Sequence, residues 1–121
     1  MNKGTKIWKK AIKIIPGGNG LLSKRPHRYL PNYWPTYFTK SKGINIWDLN
    51  KKKYTDFCQR GMGTCVLGYK NSYVDKAVKR AIDSGVNSTL NSLDEYKLAK
   101  KILKYNKFAN QIKFARGGGE A

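Results

Sequence analysis

The run Phe114-Ala115-Arg116-Gly117-Gly118-Gly119-Glu120-Ala121 sets three consecutive glycines between a short alternating segment and a pair of helix-favouring residues. Glycines let a backbone approach an anion closely and take dihedrals closed to other residues. The N–H groups at a helix start have no intrahelical acceptor and point at whatever lies beyond it. Gln111-Ile112-Lys113-Phe114-Ala115 alternates polar and apolar, which predicts a short strand, and Glu120-Ala121 favours helix as far as it goes. Strand, glycine turn and helix start together make a phosphate cradle. A flexible tail is the competing reading of the same three glycines.

Cys58 and Cys65, separated by six residues, are the next candidates for chemistry, with His27 as a distant companion. A structural zinc site takes four ligands, usually in close Cys-x-x-Cys pairs, so this set points away from metal and towards buried free thiols in a reducing compartment.

The charge is lopsided, with 25 Lys and Arg against 7 Asp and Glu, a formal +18. Such a balance raises the reading of a small basic nucleic-acid-binding module. The distribution opposes it, because Lys3 to Lys13, Lys51-Lys52-Lys53, Lys76, Lys79 and Lys97 to Lys107 spread the field over every segment. Lysine is the main cation, whereas planar recognition of phosphates and bases favours arginine. No specific nucleic-acid partner is expected. No apolar run approaches the ~20 residues of a membrane span. Nothing at the N-terminus reads as an export signal, so the expected location is cytoplasmic and no membrane partner is expected.

Several elements must position these residues. Ile7, Trp8, Ala11, Ile12 and Ile15 recur at helical spacing from Thr5 to Ile15, with lysines opposite and Pro16-Gly17-Gly18 as the stop. Asn19 to Pro35 is a loop held from regular structure by Pro26, Pro31 and Pro35, with Tyr29, Tyr33 and Trp34 expected to anchor it. Strands are predicted over Thr36 to Ser41, Ile44 to Leu49 and Lys53 to Cys58, turned by Ser41-Lys42-Gly43 and Leu49-Asn50-Lys51-Lys52 into an antiparallel meander. Gly61-Met62-Gly63-Thr64-Cys65-Val66-Leu67-Gly68 follows as a glycine-punctuated apolar loop suited to close packing. Ser72 with Asp75 and Ser92 with Glu95 have capping-box spacing, opening helices whose inward residues are Val74, Ala77, Val78, Ala81 and Ile82, then Leu98, Ala99, Ile102 and Leu103. Exposed strand edges and unmet helix faces predict a marginal, aggregation-prone polypeptide when isolated.

In order along the chain, Ala11-Ile12-Lys13-Ile14-Ile15-Pro16-Gly17-Gly18, Gly43-Ile44-Asn45-Ile46-Trp47-Asp48-Leu49 with Tyr54-Thr55-Asp56-Phe57, Gly63-Thr64-Cys65-Val66-Leu67-Gly68-Tyr69, and the terminal glycine run are similar to the N-terminal part of the class-III pyridoxal-phosphate-dependent aminotransferases. Within them the chain resembles the glutamate-1-semialdehyde aminomutase branch. The resemblance covers nearly the whole chain and about the first quarter of such an enzyme.

It implies an α/β fold, a truncated fold type I transferase: an N-terminal helix and small three-stranded antiparallel sheet over residues 1–58, then the first helices and strand of the large cofactor domain over residues 59–121. It implies the cofactor pyridoxal 5'-phosphate, a small-molecule amino donor and carbonyl substrate, and a homodimer when full length. The family's Asn-Ser-Gly-Thr-Glu-Ala motif places Gly118 at its glycine and Gly119 at its threonine, so these two are the candidate cofactor-binding residues, with one hydroxyl contact missing. Met62 stands where the aminomutase has an aromatic, which weakens five-carbon semialdehyde specificity. Ser23, Lys24 and Arg25 fall near the family's substrate-carboxylate segment. The Schiff-base lysine and the acidic partner of the ring nitrogen lie downstream in the family. No catalytic residue is therefore assigned here, and the 121-residue chain alone is expected to be inactive.

Overall fold

The computed structural model describes residues 2–58 and 63–120. It divides into two compact units, Met1–Val78 and Lys79–Ala121.

The first unit opens with α1, Lys3–Ile14. It starts two residues before the periodicity suggests, because the Asn2 side chain accepts the Thr5 N–H at 2.8 Å and so satisfies one of the otherwise orphaned first-turn donors. Gly4, Thr5 and Ala11 are buried on its inner face. A Cβ on Gly4 would lie 3.3 Å from the Thr36 backbone nitrogen, so the helix meets the approach to the sheet backbone against backbone. The predicted stop is where it should be. Ile15 is extended, as a residue before proline prefers, and the Gly18 N–H closes a turn on the Ile15 carbonyl at 2.8 Å. Pro16 second and Gly17 third, at φ +71°, make this a type II turn.

The loop that follows carries two short 3-10 turns, Leu22–Lys24 and Pro26–Arg28. Tyr29 and Trp34 stack on one another with ring centroids 4.1 Å apart. Tyr33 is 80 % exposed and packs on nothing within the described residues of this chain.

The meander is present, in the order β1 (Phe38–Lys42), β2 (Asn45–Asp48), β3 (Lys53–Thr55). Gly43 at φ +59° leads a two-residue turn of the II′ kind between Lys42 and Asn45. The register pairs Ser41 with Ile46 and Ile46 with Tyr54, and slips by a bulge between Phe38 and Lys40. All three strands are shorter at one or both ends than predicted. The third ends at Thr55 because Asp56, Phe57 and Cys58 have no further strand residues opposite them.

Helix α2 (Ser72–Asp83) runs across the division between the units, and α3 (Leu93–Tyr105) belongs to the second. The cap of α2 is Asn71 rather than Ser72: its Oδ1 accepts from the N–H groups of Tyr73 and Val74 at 3.1 and 3.2 Å. Ser92 does cap α3, accepting from Asp94 N–H at 3.2 Å.

Among the described residues, the buried positions are Gly4, Thr5, Ala11, Gly18, Pro26 and Asp48, all in the first unit. The apolar stripes of α2 and α3 are not inside: Val78 is 51 % exposed and Ile82 59 %, and α3 buries none of its residues.

Candidate functional site

The glycine run is reached from α3. Asn106 closes that helix, its backbone and side-chain N–H groups donating to the Ile102 carbonyl at 3.0 and 2.9 Å. The predicted strand over Gln111 to Ala115 does not form. Its alternation is intact, but a strand needs a neighbour to exchange ladder bonds with, and none is at hand in this segment.

Residues 117–120 form a hydrogen-bonded turn in place of the predicted helix start. The Glu120 N–H donates to the Gly117 carbonyl at 3.0 Å, and the Arg116 N–H donates to Glu120 Oε2 at 3.0 Å. The two bonds close the bend reciprocally, in the manner of a capping box. A single turn is the unfavourable nucleus of a helix, and only further residues would reward it.

None of Gly117, Gly118 and Gly119 has a positive φ, which corrects the expectation that they hold dihedrals closed to other residues. Neither dihedral nor space requires glycine at these three positions. A Cβ on any of the three would meet nothing within 4 Å. Among the described residues, the N–H groups of Gly118 and Gly119 donate to no protein acceptor. Two successive unpaired backbone donors are the kind of group that can bind the oxygens of a phosphate-sized anion. They are one wall of a site. No side-chain hydroxyl stands among residues 116–120, and the Glu120 carboxylate is already engaged by Arg116.

The loop after the sheet is fastened to the first unit by Tyr69. Its N–H and carbonyl pair with Gly43 at 2.9 and 2.8 Å. Its hydroxyl donates to Asp56 Oδ2 at 2.5 Å, while the Cys58 N–H donates to Oδ1 of the same carboxylate at 2.8 Å. Burial first, then the bonded Asp56 carboxylate, pushes the Tyr69 phenol up to about 12. Gly68 lies so close that a Cβ would stand 3.1 Å from the Gly43 carbonyl oxygen. The two thiols are free, but Cys58 is exposed and Cys65 half-buried, which corrects the expectation that both are buried. Arg60, Gly61 and Met62, which bear on the substrate side of the resemblance, lie outside the described residues. Among the described residues no cluster of His, Cys, Asp and Glu could hold a metal ion.

Ser23, Lys24 and Arg25 sit at the two 3-10 turns, with the Ser23 carbonyl accepting from Tyr29 hydroxyl at 2.7 Å. The Arg25 guanidinium lies over Gly17, where a Cβ would be 2.0 Å from Nη2. Its Nε is buried without a hydrogen-bond partner.

One structural residue escaped the sequence reading. Asp48, 6 % exposed, accepts from the N–H groups of Asn50 and Lys52 at 2.8 and 2.9 Å and from the Tyr54 hydroxyl at 3.1 Å. Burial alone would raise its pKa, but these bonds outweigh burial and lower it. An aspartate two to four residues before an Asn-Lys-Lys turn is the signal that could have found it.

No family model matches the chain. It is 30 % identical over 117 residues to the glutamate-1-semialdehyde 2,1-aminomutase of Nitrosopumilus maritimus, covering 97 % of this chain and 26 % of that protein. The aminomutase of Campylobacter hominis is 34 % identical over 118 residues, with 96 % and 25 % covered. The chain thus spans about a quarter of the length of the curated relatives it matches. Among solved structures, the internal aldimine form, with PLP, of the FumI protein from Sphingopyxis sp. MTA144 superposes with a TM-score of 0.82 at 28 % identity, over 98 % of this chain and 28 % of that one. An omega-transaminase from Sphaerobacter thermophilus superposes at 0.83 over 99 % and 26 %, and at 22 % identity it speaks for the fold alone. None of these favours a nucleic-acid-binding module. In sequence the chain is similar over nearly its whole length to about a quarter of glutamate-1-semialdehyde 2,1-aminomutases, and in backbone to part of a pyridoxal-phosphate-binding protein.

Proposed function

We propose that this chain serves as the N-terminal quarter of a pyridoxal-phosphate-dependent aminotransferase or aminomutase, which moves an amino group to or within a small carbonyl substrate. The observation that carries the reading is the run of similarity over nearly the whole chain, ending in a turn whose Gly118 and Gly119 N–H groups are unpaired. In this reading those two groups hold the cofactor phosphate, and Gly119 lacks the hydroxyl that a threonine would add. Pyridoxal phosphate, when bound, supplies the aldehyde and electron-withdrawing ring that amino-group transfer needs.

The chain's own part is binding and positioning. Residues 1–58 supply the small sheet, and residues 59–121 open the cofactor domain. Every lysine of the chain is exposed in this structure. The Schiff-base lysine comes from the remaining three quarters, and the 121-residue chain by itself turns over no amino donor. A cytoplasmic homodimer with its sites at the subunit interface completes the proposal.

The reading frame beyond the Ala121 codon tests it. An in-frame continuation bearing a lysine on a strand of the large domain supports the proposal, and turnover of an amino donor by the 121-residue chain alone contradicts it.

A further inference from the structure

Asn19-Gly20 is the one place in the chain where an asparagine precedes a glycine. It sits in the bend between α1 and the first 3-10 turn, and both ends of that bend are tied down. On one side Gly18 is buried, with its N–H on the Ile15 carbonyl at 2.8 Å. On the other, the Leu21 carbonyl accepts the Lys24 N–H at 3.0 Å. Between them the Asn19 side-chain oxygen accepts the Leu21 N–H at 3.1 Å, which folds the amide back across Gly20. Among the described residues the Gly20 N–H donates to no protein acceptor, and Gly20 is open to water. By contrast, Asn2 and Asn71 cap helices, so the residue after each is already helical, and Asn87 and Asn91 precede serines, whose Cβ crowds the nitrogen beside it.

We propose that Asn19-Gly20 is a modification site at which the chain deamidates itself, through a cyclic imide that opens to aspartate and isoaspartate. Hydroxide takes the proton from the Gly20 nitrogen, which then attacks Asn19 Cγ. The Cγ–Nδ2 bond breaks, the side-chain nitrogen leaves as ammonia, and the imide ring closes. Water next adds to one of the two imide carbonyls: cleavage at Cγ gives aspartate, and cleavage at the backbone carbonyl carbon gives isoaspartate. Nothing is oxidised or reduced, and the balance is one water consumed and one ammonia released. The Leu21 N–H already sits on the oxygen where negative charge gathers as the nitrogen adds, so its bond strengthens in the transition state. The new carboxylate lies close in sequence to Gly17, over which the Arg25 guanidinium sits.

The test incubates the 121-residue chain, dilute enough to stay monomeric, at neutral and mildly alkaline pH, and follows ammonia release and peptide maps that separate aspartate from isoaspartate. Asn19 should convert first, to both acids, with a rate that rises about tenfold per pH unit because the attacking nitrogen must lose its proton. Gly20→Ala, whose Cβ meets nothing within 4 Å and so leaves the fold intact, should slow conversion by about tenfold or more by crowding the nucleophile. The native chain should convert Asn19 about three- to tenfold faster than the same chain in guanidinium chloride, the worth of one hydrogen bond at the reacting oxygen. Earlier conversion of Asn87 or Asn91, an unchanged rate in Gly20→Ala, or a native rate equal to or below the denatured one would each overturn the proposal.

Discussion

The Tyr69 hydroxyl donates to Asp56 Oδ2 across thirteen residues of sequence, and this bond with the paired Gly43 and Tyr69 backbones fixes the glycine loop to the sheet. A hydrogen bond to a carboxylate contributes about 1.5–3 kcal/mol. Tyr69→Phe should therefore loosen the junction, read as faster amide exchange at Gly43 and Tyr69 with β1 and β2 unaffected. The phenol pKa is raised from 10.0 to about 12, so its stabilisation is full below 10.0 and is lost as pH rises through about 12. Titration of tyrosinate absorbance should show a late ionisation at about 12, and its amplitude should fall by one phenol in Tyr69→Phe while Tyr54, also raised by burial and the bonded Asp48, is unaffected.

Asp48 governs the opposite end of the pH scale. Its lowered pKa means that its contribution is present above the unfolded value of 3.8 and is lost as pH falls through the lower folded value. Asp48→Ala leaves the Asn50 and Lys52 N–H groups and the Tyr54 hydroxyl without their acceptor, at a cost of about 1–3 kcal/mol. The β2–β3 hairpin should open first, seen as lost amide protection at Ile46 and Tyr54. Unchanged protection would show that the carboxylate is incidental.

Gly18 is a steric requirement. At φ +79° a Cβ would stand 2.4 Å from Trp8 Cη2, inside any van der Waals contact. Gly18→Ala should cost about 1–3 kcal/mol through the strained dihedral and the displaced indole, whereas Gly20→Ala, where a Cβ meets nothing within 4 Å, should cost little. Amide exchange at Trp8 and Gly18 in the two variants gives the comparison.

With Ala11 and Pro26 as the buried apolar side chains among the described residues and the faces of α2 and α3 open, the isolated chain lacks the core that cooperative unfolding needs. It should bind a hydrophobic dye strongly, melt broadly and aggregate as concentration rises. A sharp, reversible melt of a dye-silent monomer would contradict this.

What the sequence disclosed follows from how local each signal is. Helix α1, the meander order and the Pro16-Gly17 turn depend on neighbours a few residues away, and they stand where the pattern puts them. Asn71 and Ser72 are adjacent and nearly equal as caps, so spacing to Asp75 favoured the wrong one until the bonds to Tyr73 and Val74 were visible. The strand at Gln111 to Ala115 failed for the opposite reason: its alternation is local, but strand formation is a property of a pair. Asp48 was hidden because one aspartate's three partners become evident only after the hairpin has closed.

The proposal that Gly118 and Gly119 hold the cofactor phosphate is tested most directly by amide chemical shifts of the 121-residue chain titrated with pyridoxamine phosphate, which has no aldehyde to condense with exposed lysines. The Gly118 and Gly119 signals should move together and saturate while Gly20 stays still. Gly119→Thr, whose Cβ meets nothing within 4 Å at a dihedral open to any residue, should tighten binding by about tenfold, the worth of one added hydrogen bond. Shifts confined to lysine-bearing helices, with Gly118 and Gly119 unmoved, would contradict the account.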